Sequence, residues 1–315
     1  MDAASQAAGR SVLLLGSGGQ LGHELAPLLR CFALAHCPSR DALDIRDTPR
    51  VRAALERLRP SVVVNATAYN AVDLAESGAE AAMAVNCRAV GDLAEAAASV
   101  GCAVVHFSTD FVFDGLQGRP YVESDRAHPL NRYGESKLAG EAALLASRAD
   151  ALVFRTSWVY SLRRKSFVSA ILAAARREGP LQVVADQTGS PTFARDLAAA
   201  VAIVLARVSE PHALRSLRGV YHLAGSGQCS RFDLAKAAIA MDPHKHEHRF
   251  SELVPTQTVL RDGVAARPTF SPLDCTKAMQ VLGVSLPDWH DGLKRALGDT
   301  ATHYHPATPP RAGRG

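Results

Sequence analysis

Tyr133 and Lys137 stand four residues apart in the string Tyr-Gly-Glu-Ser-Lys, a spacing that puts both side chains on one face of a helix. A free phenol, with a pKa of about 10, is a poor proton donor or acceptor at neutral pH. A neighbouring ammonium stabilises the phenolate and lowers that pKa, so the phenol can protonate a developing alkoxide. Upstream, the apolar run Val104–Phe107 leads into Ser108-Thr109-Asp110. A hydroxyl at the carboxyl end of such a strand can hold a carbonyl oxygen, in a bond that strengthens as negative charge develops. Thr109, Tyr133 and Lys137 are therefore the candidate catalytic set.

A second constellation is the glycine string Gly16-Ser-Gly-Gly19-Gln-Leu-Gly22, which follows the apolar run Val12–Leu15. Strand, glycine turn and helix in this order suit a dinucleotide. One glycine permits the turn, one admits a pyrophosphate to the backbone, and one lets helix and strand pack closely. The helix start then offers free N–H groups to the phosphates. The G-x-x-G-x-x-G spacing at 16, 19 and 22 is the variant found in extended short-chain dehydrogenases. An NAD site usually carries an acid at the end of the second strand for the ribose 2′-hydroxyl. Here no acid precedes Asp41, and Arg40 offers a planar fork for a 2′-phosphate. NADPH is thus preferred, with NADH left open. Asp44 and Ile45 read as a later pair at the adenine edge.

These residues need a scaffold. Strand-like runs at Val12–Leu15, Phe32–Ala35, Val62–Asn65, Ala103–Phe107 and Ala151–Arg155 are apolar on both faces, as in a covered parallel sheet. Between them lie helical stretches at Gln20–Arg30, Pro49–Leu58, Gly78–Ser99 and Tyr133–Ser147. The alternation predicts an α/β fold, a doubly wound Rossmann-like parallel sheet with a smaller C-terminal substrate-binding lobe. The dinucleotide-binding domain with Thr109, Tyr133 and Lys137 is placed at 11–160. The lobe is placed at 161–297, with some segments returning to the sheet. It carries expected helices at Ser166–Arg177, Ala194–Ala206 and Arg231–Ala240 and a strand at Gly219–Leu223. Residues 1–10 and 298–315 are expected to be disordered tails.

Composition narrows the function classes. Apolar residues at 47% and charged residues at 21% are those of a globular chain and exclude a disordered or collagen-like one. A net charge of +4 without a basic block argues against nucleic-acid binding. The apolar run Leu197–Ala206 is about half the length of a membrane span. With no hydrophobic core in the first ten residues, the expected location is cytoplasmic, away from membranes. Six cysteines without a C-x-x-C pair suggest neither zinc nor disulfides. Cys31, Cys87 and Cys102 read as small core side chains. In an extended segment His244, His246 and His248 would share a face and could hold a metal, but a solvated loop is the simpler reading, and no metal ligand is assigned.

Taken together, the sequence resembles the dTDP-4-dehydrorhamnose reductase family, within the extended short-chain dehydrogenases. The matching strings are GSGGQLG (16–22), VVVNATAYNAVDLAE (62–76), AVNCRAVGDLAEAA (84–97), STDFVFDG (108–115), PYVESDRAHPLNRYGESKLAGE (120–141), RTSWVY (155–160), DQTGSPT (186–192) and RPTFSPLDCTKA (267–278). The resemblance implies that Gly16, Gly19, Gln20, Leu21 and Gly22 cradle the cofactor. It implies that Asn65, Ala66, Ala68 and Tyr69 line its ribose and nicotinamide side, where Tyr133 and Lys137 also meet it. It places Val72, Thr109, Asp110, Phe111, Asn131 and Trp158 around a dTDP-sugar, and Arg267 at the diphosphate. The implied reaction is reduction of a C4 keto group, dTDP-4-dehydro-L-rhamnose to dTDP-L-rhamnose. A homodimer is left open. Some relatives depend on Mg2+, which no motif of this sequence supports.

Phe111 stands where the family has Tyr, Ser161 where it has Gly, and Phe270 and Pro272 where polar residues are common. These departures bear on the sugar more than on the reaction. Two alternatives are a related sugar-nucleotide epimerase or dehydratase and a non-catalytic regulatory or sugar-nucleotide-binding subunit. Phe111 after Asp110 disfavours elimination, because the dehydratases carry Asp-Glu there. The presence of Thr109, Tyr133, Lys137 and Trp158 disfavours the regulatory reading.

Overall fold

The apolar runs form one six-stranded parallel sheet. Its strands are β1 (Ser11–Leu15), β2 (Leu34–His36), β3 (Val62–Asn65), β4 (Ala103–Thr109), β5 (Ala151–Thr156) and β10 (Gly219–His222), in the order β10-β5-β4-β3-β1-β2. The structure is a computed structural model and describes residues 10–207, 211–259 and 261–298. Alternate residues of β1 enter two different cores. Val12 and Leu14 pack with Leu25 and Leu29 of α1 (Gln20–Arg30) and with Leu197 and Val201 of α8 (Ala194–Arg207). Leu13 and Leu15 pack with Val51 and Leu55 of α2 (Thr48–Leu58) and with Val90 and Leu93 of α5 (Ala89–Ser99). Helices thus cover both faces, which is why the strands are apolar throughout. The apolar run Leu197–Ala206 is a core helix of this sheet, and no helix among the described residues is long and apolar enough to cross a membrane.

The chain leaves β1 towards β2 on one side and returns to β3 on the other. The connections that leave the paired carboxyl ends of β1 and β3 therefore part to opposite sides and open a crevice, the position at which such sheets bind ligands. Strand β2 begins at Leu34, two residues later than expected, because Phe32 and Ala33 still close the end of α1 through bonds to Leu29 O.

The single helix expected over 78–99 is interrupted. Short helices α3 (Val72–Ser77) and α4 (Ala79–Met83) lead into a π-turn at Ala84–Arg88, and only then does α5 run to Ser99. Helix α6 (Arg132–Ala146) packs against the π-turn so closely that a Cβ on Gly140 would lie 1.9 Å from Asn86 O. Widened turns of this kind often sit at functional sites.

Beyond β5 the chain builds a second core. Strand β6 (Val159–Tyr160) pairs with β9 (Thr192–Phe193), and β8 (Thr188–Gly189) with β11 (Cys229–Ser230). Helices α7 (Phe167–Ala175), α9 (Arg231–Met241) and α10 (Trp289–Gly298) enclose Tyr160, Val168, Phe193, Leu234 and Leu293. A parallel pair, β7 (Gly179–Val184) with β12 (Phe250–Thr256), lies beside it. Neither that pair nor α10 was expected from sequence. Gly298 closes α10, one residue inside the segment expected as a tail. The rest of that segment and residues 1–9 lie outside the described residues. Strand β10 and helix α8 come from this later half but join the main sheet.

Cysteines correct one expectation. Cys102 is buried, Cys87 is partly covered, but Cys31 is exposed just after α1, where it bonds back to Pro27 O.

Candidate active site

The glycine turn sits at the crevice between β1 and β3. Gly16 has φ +80°, and a Cβ there would lie 2.7 Å from the Ala66 carbonyl carbon. A Cβ on Gly22 would lie 2.1 Å from Gly16 O. Only glycine fits either place. Gly19 caps α1 without a side-chain bond, so the helix start presents its N–H groups to the crevice. Leu21 packs on the core. The Gln20 amide oxygen is taken by Ser161, which donates from N (2.8 Å) and Oγ (3.2 Å). Gln20 thus offers a cofactor its backbone but not that oxygen. Ser161, where a glycine was expected, is what ties the turn to the second half.

At the end of β2 the Ser17 hydroxyl bonds to Pro38 O at 2.8 Å. Arg40 is mostly exposed and pairs with Asp44 at 3.2 Å, while Arg46 holds the same carboxylate at 2.7 Å. Arg46 and Arg40 keep Asp44 far below the usual carboxylate range. Ile45 is buried against Val51 and Leu55. Of the expected adenine pair, Ile45 gives its side chain to the core and Asp44 is engaged by two arginines.

After β3, Asn65 is fully buried. Its Oδ1 accepts from Thr67 N (3.1 Å) and Thr67 Oγ1 (2.6 Å), and its amide nitrogen meets His106 Nδ1 at 3.1 Å. The Asn65 side chain is therefore spent on structure, and the loop that follows it, with Ala66, Ala68 and Tyr69, is what faces the crevice. Asn86 of the π-turn holds both backbone groups of Tyr69, at 2.8 and 2.9 Å, and donates to Ser136 of α6 at 3.0 Å. Asn86 thus locks the cofactor-side loop to the helix that carries Tyr133. Val72 opens α3 at the end of this loop.

Thr109 ends β4 and Tyr133 lies in the first turn of α6, capped by Asn131, whose side chain accepts from Gly134 N at 2.8 Å. Asn131 also donates to Ala266 O at 2.7 Å, so it joins α6 to the 265–267 segment. The Thr109 hydroxyl acts on the Tyr133 hydroxyl, favouring its ionised form. Phe111 meets the Tyr133 ring edge to face at 6.0 Å. Burial pushes the Tyr133 hydroxyl up to about 12, with the Thr109 hydroxyl opposing and the charge of Asp110 adding to the rise.

The expected depression of Tyr133 by Lys137 is not found. Lys137 Nζ donates to Phe107 O at 2.6 Å and sits 3.3 Å from His106 Nε2. Its charge is turned towards β4 instead of the phenol. Burial also brings the Lys137 ammonium down to about 8, partly countered by Glu141. Asp110 is fully enclosed, and burial pushes its carboxyl up to about 6 against hydrogen bonds from Ser271, Ser157 and Thr109. The Ser271 bond is 2.7 Å long.

On the far side of Asp110, Trp158 follows β5 with the left-handed φ of +46°, an unusual backbone for a bulky residue. One indole face is occupied: the Arg231 guanidinium carbon is 3.5 Å from the ring centre. The ring also lies so near Gly189 that a Cβ there would come within 2.5 Å of it. Arg231, unforeseen from sequence, makes no side-chain hydrogen bond or ion pair among the described residues. It lines a cavity of about 430 Å3 with Phe167, Gln187, Thr258, Val264 and Arg267. Arg267 is paired with Asp73 at 2.8 Å. Arg231 and Arg267 bring two cations to one cavity wall, and burial lowers Arg231 to about 10. The charge of Asp110 opposes that fall, but no side-chain acceptor among the described residues takes the Arg231 N–H groups, and a desolvated guanidinium in that state suits an anion.

The histidine segment folds differently from the extended form. His244, His246 and Glu247 bring ligand atoms within 4.8 Å of one another, while His248 turns away to Asp242 at 2.8 Å. Glu247 is also paired with Arg176 at 2.5 Å.

Residues 10–302 match the family model described as the RmlD substrate binding domain. A dTDP-4-dehydrorhamnose reductase of Burkholderia thailandensis is 40% identical over 282 residues, covering 88% of this chain and 95% of that protein. One from Escherichia coli K12 is 37% identical over 305 residues, covering 93% and 98%. The crystal structure of the Bacillus anthracis reductase in complex with NADP superposes with a TM-score of 0.82 at 30% identity, covering 92% of this chain and 99% of that one. A dTDP-glucose 4,6-dehydratase of Streptomyces venezuelae, at 20% identity and a TM-score of 0.71, shares the fold. With the glycine turn, the Thr109–Tyr133 pair and this similarity along nearly its whole length, the chain belongs to the dTDP-4-dehydrorhamnose reductase family.

Proposed function

We propose that this chain uses NADPH to reduce the C4 keto group of a dTDP-4-keto-6-deoxyhexose, converting dTDP-4-dehydro-L-rhamnose to dTDP-L-rhamnose. The observation that carries this reading is the Thr109–Tyr133 pair at the sheet's carboxyl edge, with the glycine turn on one side and the two-arginine cavity on the other. The glycine turn fits a dinucleotide pyrophosphate, since Gly16 and Gly22 have no room for a Cβ and α1 begins there with open N–H groups. When bound, the cofactor supplies the hydride. Thr109 and Tyr133 hold the carbonyl oxygen, and Tyr133 gives it a proton as negative charge develops. A phenol at about 12 is fully protonated at neutral pH, as a proton donor must be. Arg231 and Arg267 hold the diphosphate, and Trp158 presents its ring to the sugar. Preference for NADPH is supported by Arg40, which is largely exposed at the end of β2; Arg40→Ala then lowers kcat/KM for NADPH and leaves that for NADH unchanged.

The test is direct. The purified chain is mixed with NADPH and dTDP-4-dehydro-L-rhamnose, oxidation is followed by absorbance, and the product is identified by NMR. The reading expects stoichiometric oxidation and dTDP-L-rhamnose. No oxidation, or a product epimeric at C4, overturns it.

A further inference from the structure

His106 is fully buried in β4 and has no place in the chemistry described so far. Its two ring nitrogens each face one partner. Nδ1 lies 3.1 Å from the Asn65 amide nitrogen and Nε2 lies 3.3 Å from Lys137 Nζ.

The hydrogen inventory of this chain can be solved from one end. Thr67 N is a backbone donor and has no other role to play. It points at Asn65 Oδ1, 3.1 Å away, and the Thr67 hydroxyl points at the same oxygen at 2.6 Å. The Asn65 carboxamide oxygen therefore faces Thr67, and its NH2 group must face His106. A donor at Nδ1 requires that Nδ1 be bare. Complete burial holds His106 well below its ordinary pKa, so the ring is neutral and carries its one proton on Nε2. That N–H points at Lys137. An ammonium there would set two donors against each other across 3.3 Å. A neutral amine resolves the conflict: its lone pair accepts from Nε2–H while one of its own hydrogens goes to Phe107 O, 2.6 Å away.

We propose that His106 is a positioning residue for Lys137: locked as the Nε2–H tautomer by Thr67 and Asn65, it meets the lysine with a proton instead of a lone pair and so favours the neutral amine. Other groups around Lys137 do not supply this bias. Glu141, one turn along α6, favours the ammonium, but its carboxylate is held by Arg155 of β5 at 2.7 Å. Tyr133 is protonated at neutral pH, and Asp110 is held by Ser271 and Thr109 and is not among the charges that act on Lys137. Burial pushes the Cys87 thiol of the π-turn upward, so it carries no charge at neutral pH. A lysine brought near the working pH can exchange a proton there. Its catalytic use rests on the reductase reading above; the tautomer does not.

The experiment uses the full chain without cofactor or sugar, so it stands or falls separately from the proposed reaction. NMR with 15N-labelled histidine reads the tautomer, and 13C-labelled lysine reads the titration of Lys137. The wild type is expected to show a protonated Nε2 and a bare Nδ1 on His106, with Lys137 titrating about two pH units below an ordinary lysine. In Asn65→Asp an acceptor faces Nδ1. The proton is expected to move to Nδ1, and the Lys137 midpoint to rise by about one pH unit or more. A proton on Nδ1 in the wild type, an imidazolium at neutral pH, or an ordinary lysine midpoint overturns the proposal. So does a higher lysine midpoint in Asn65→Asp with the tautomer unchanged, since the carboxylate then acts by charge alone. The wild-type spectra decide even if the variant does not fold.

Discussion

Arg231 lies over Trp158, 3.5 Å from guanidinium carbon to ring centre, and 4.8 Å from the centre of the Phe167 ring. A guanidinium stacked on an indole is held by the ring's negative face, yet its N–H groups have no protein acceptor among the described residues. They are left to whatever enters the cavity that Arg231 shares with Arg267. The same cation therefore covers the Trp158 ring and offers hydrogen bonds to an anion.

The first prediction follows from that pairing. Arg231→Ala should raise KM for the dTDP-sugar by about 10- to 100-fold, the range of a lost charge-assisted hydrogen bond of about 1.5–3 kcal/mol. KM for NADPH should stay where it is, because no residue of the glycine turn lines the cavity that holds Arg231. Steady-state kinetics with each substrate varied in turn decide the matter; an effect confined to NADPH would remove Arg231 from the substrate site.

Gly189 offers a second test of Trp158. A Cβ at this position would lie 2.5–2.8 Å from three indole atoms, and the ring must shift to admit it. Gly189→Ala should destabilise the fold by about 1–3 kcal/mol, as overpacking does, and weaken sugar-nucleotide binding. Thermal melts and calorimetric titration with dTDP-sugar measure the two effects. Destabilisation with unchanged affinity would leave Trp158 a packing residue.

Tyr133→Phe keeps the edge-to-face contact with Phe111 but removes the proton. Turnover should fall by about 100-fold or more, the contribution of a general acid, while NADPH affinity stays nearly intact. Fluorescence titration with NADPH alongside kcat checks both; near-normal turnover would sink the proton-donor role.

Asp110 makes stability depend on pH in a definite direction. Burial pushes its carboxyl to about 6, whereas in the unfolded chain it titrates at about 4. A raised carboxyl stabilises the native state fully below the unfolded pKa and loses that contribution as pH rises through the folded one. Between about pH 4 and 6 the loss from this group is about 3 kcal/mol. His222, lowered to about 4 by burial, works the opposite way, so the comparison must be with Asp110→Asn. Urea unfolding at several pH values should show that the variant lacks this decline. Parallel curves for the two proteins would refute it.

The sheet strands, the glycine turn and the elements that carry Thr109, Tyr133 and Lys137 were legible because each rests on local chemistry. Apolar runs bounded by turns, a glycine spacing and an i, i+4 pair are all written within a few consecutive residues. Arg231, Asn86, His106 and Ser271 were not legible, because each works through a partner far away in the chain. Arg231 meets Trp158, Asn86 meets Ser136, His106 meets Lys137, and Ser271 meets Asp110 across 161 residues.

Several expected site residues keep their place but change their task. The side chains of Asn65, Gln20 and Asn131 are consumed by protein partners, and Ile45 goes to the core. The sequence alone determined which groups exist and which elements carry them. Only the tertiary structure decided what each group faces, and with it the charge it holds. Lys137 shows the physical reason: four residues from Tyr133 on one helix face, it still turns to Phe107 O and His106, because a buried amine must satisfy its hydrogen bonds wherever packing supplies them.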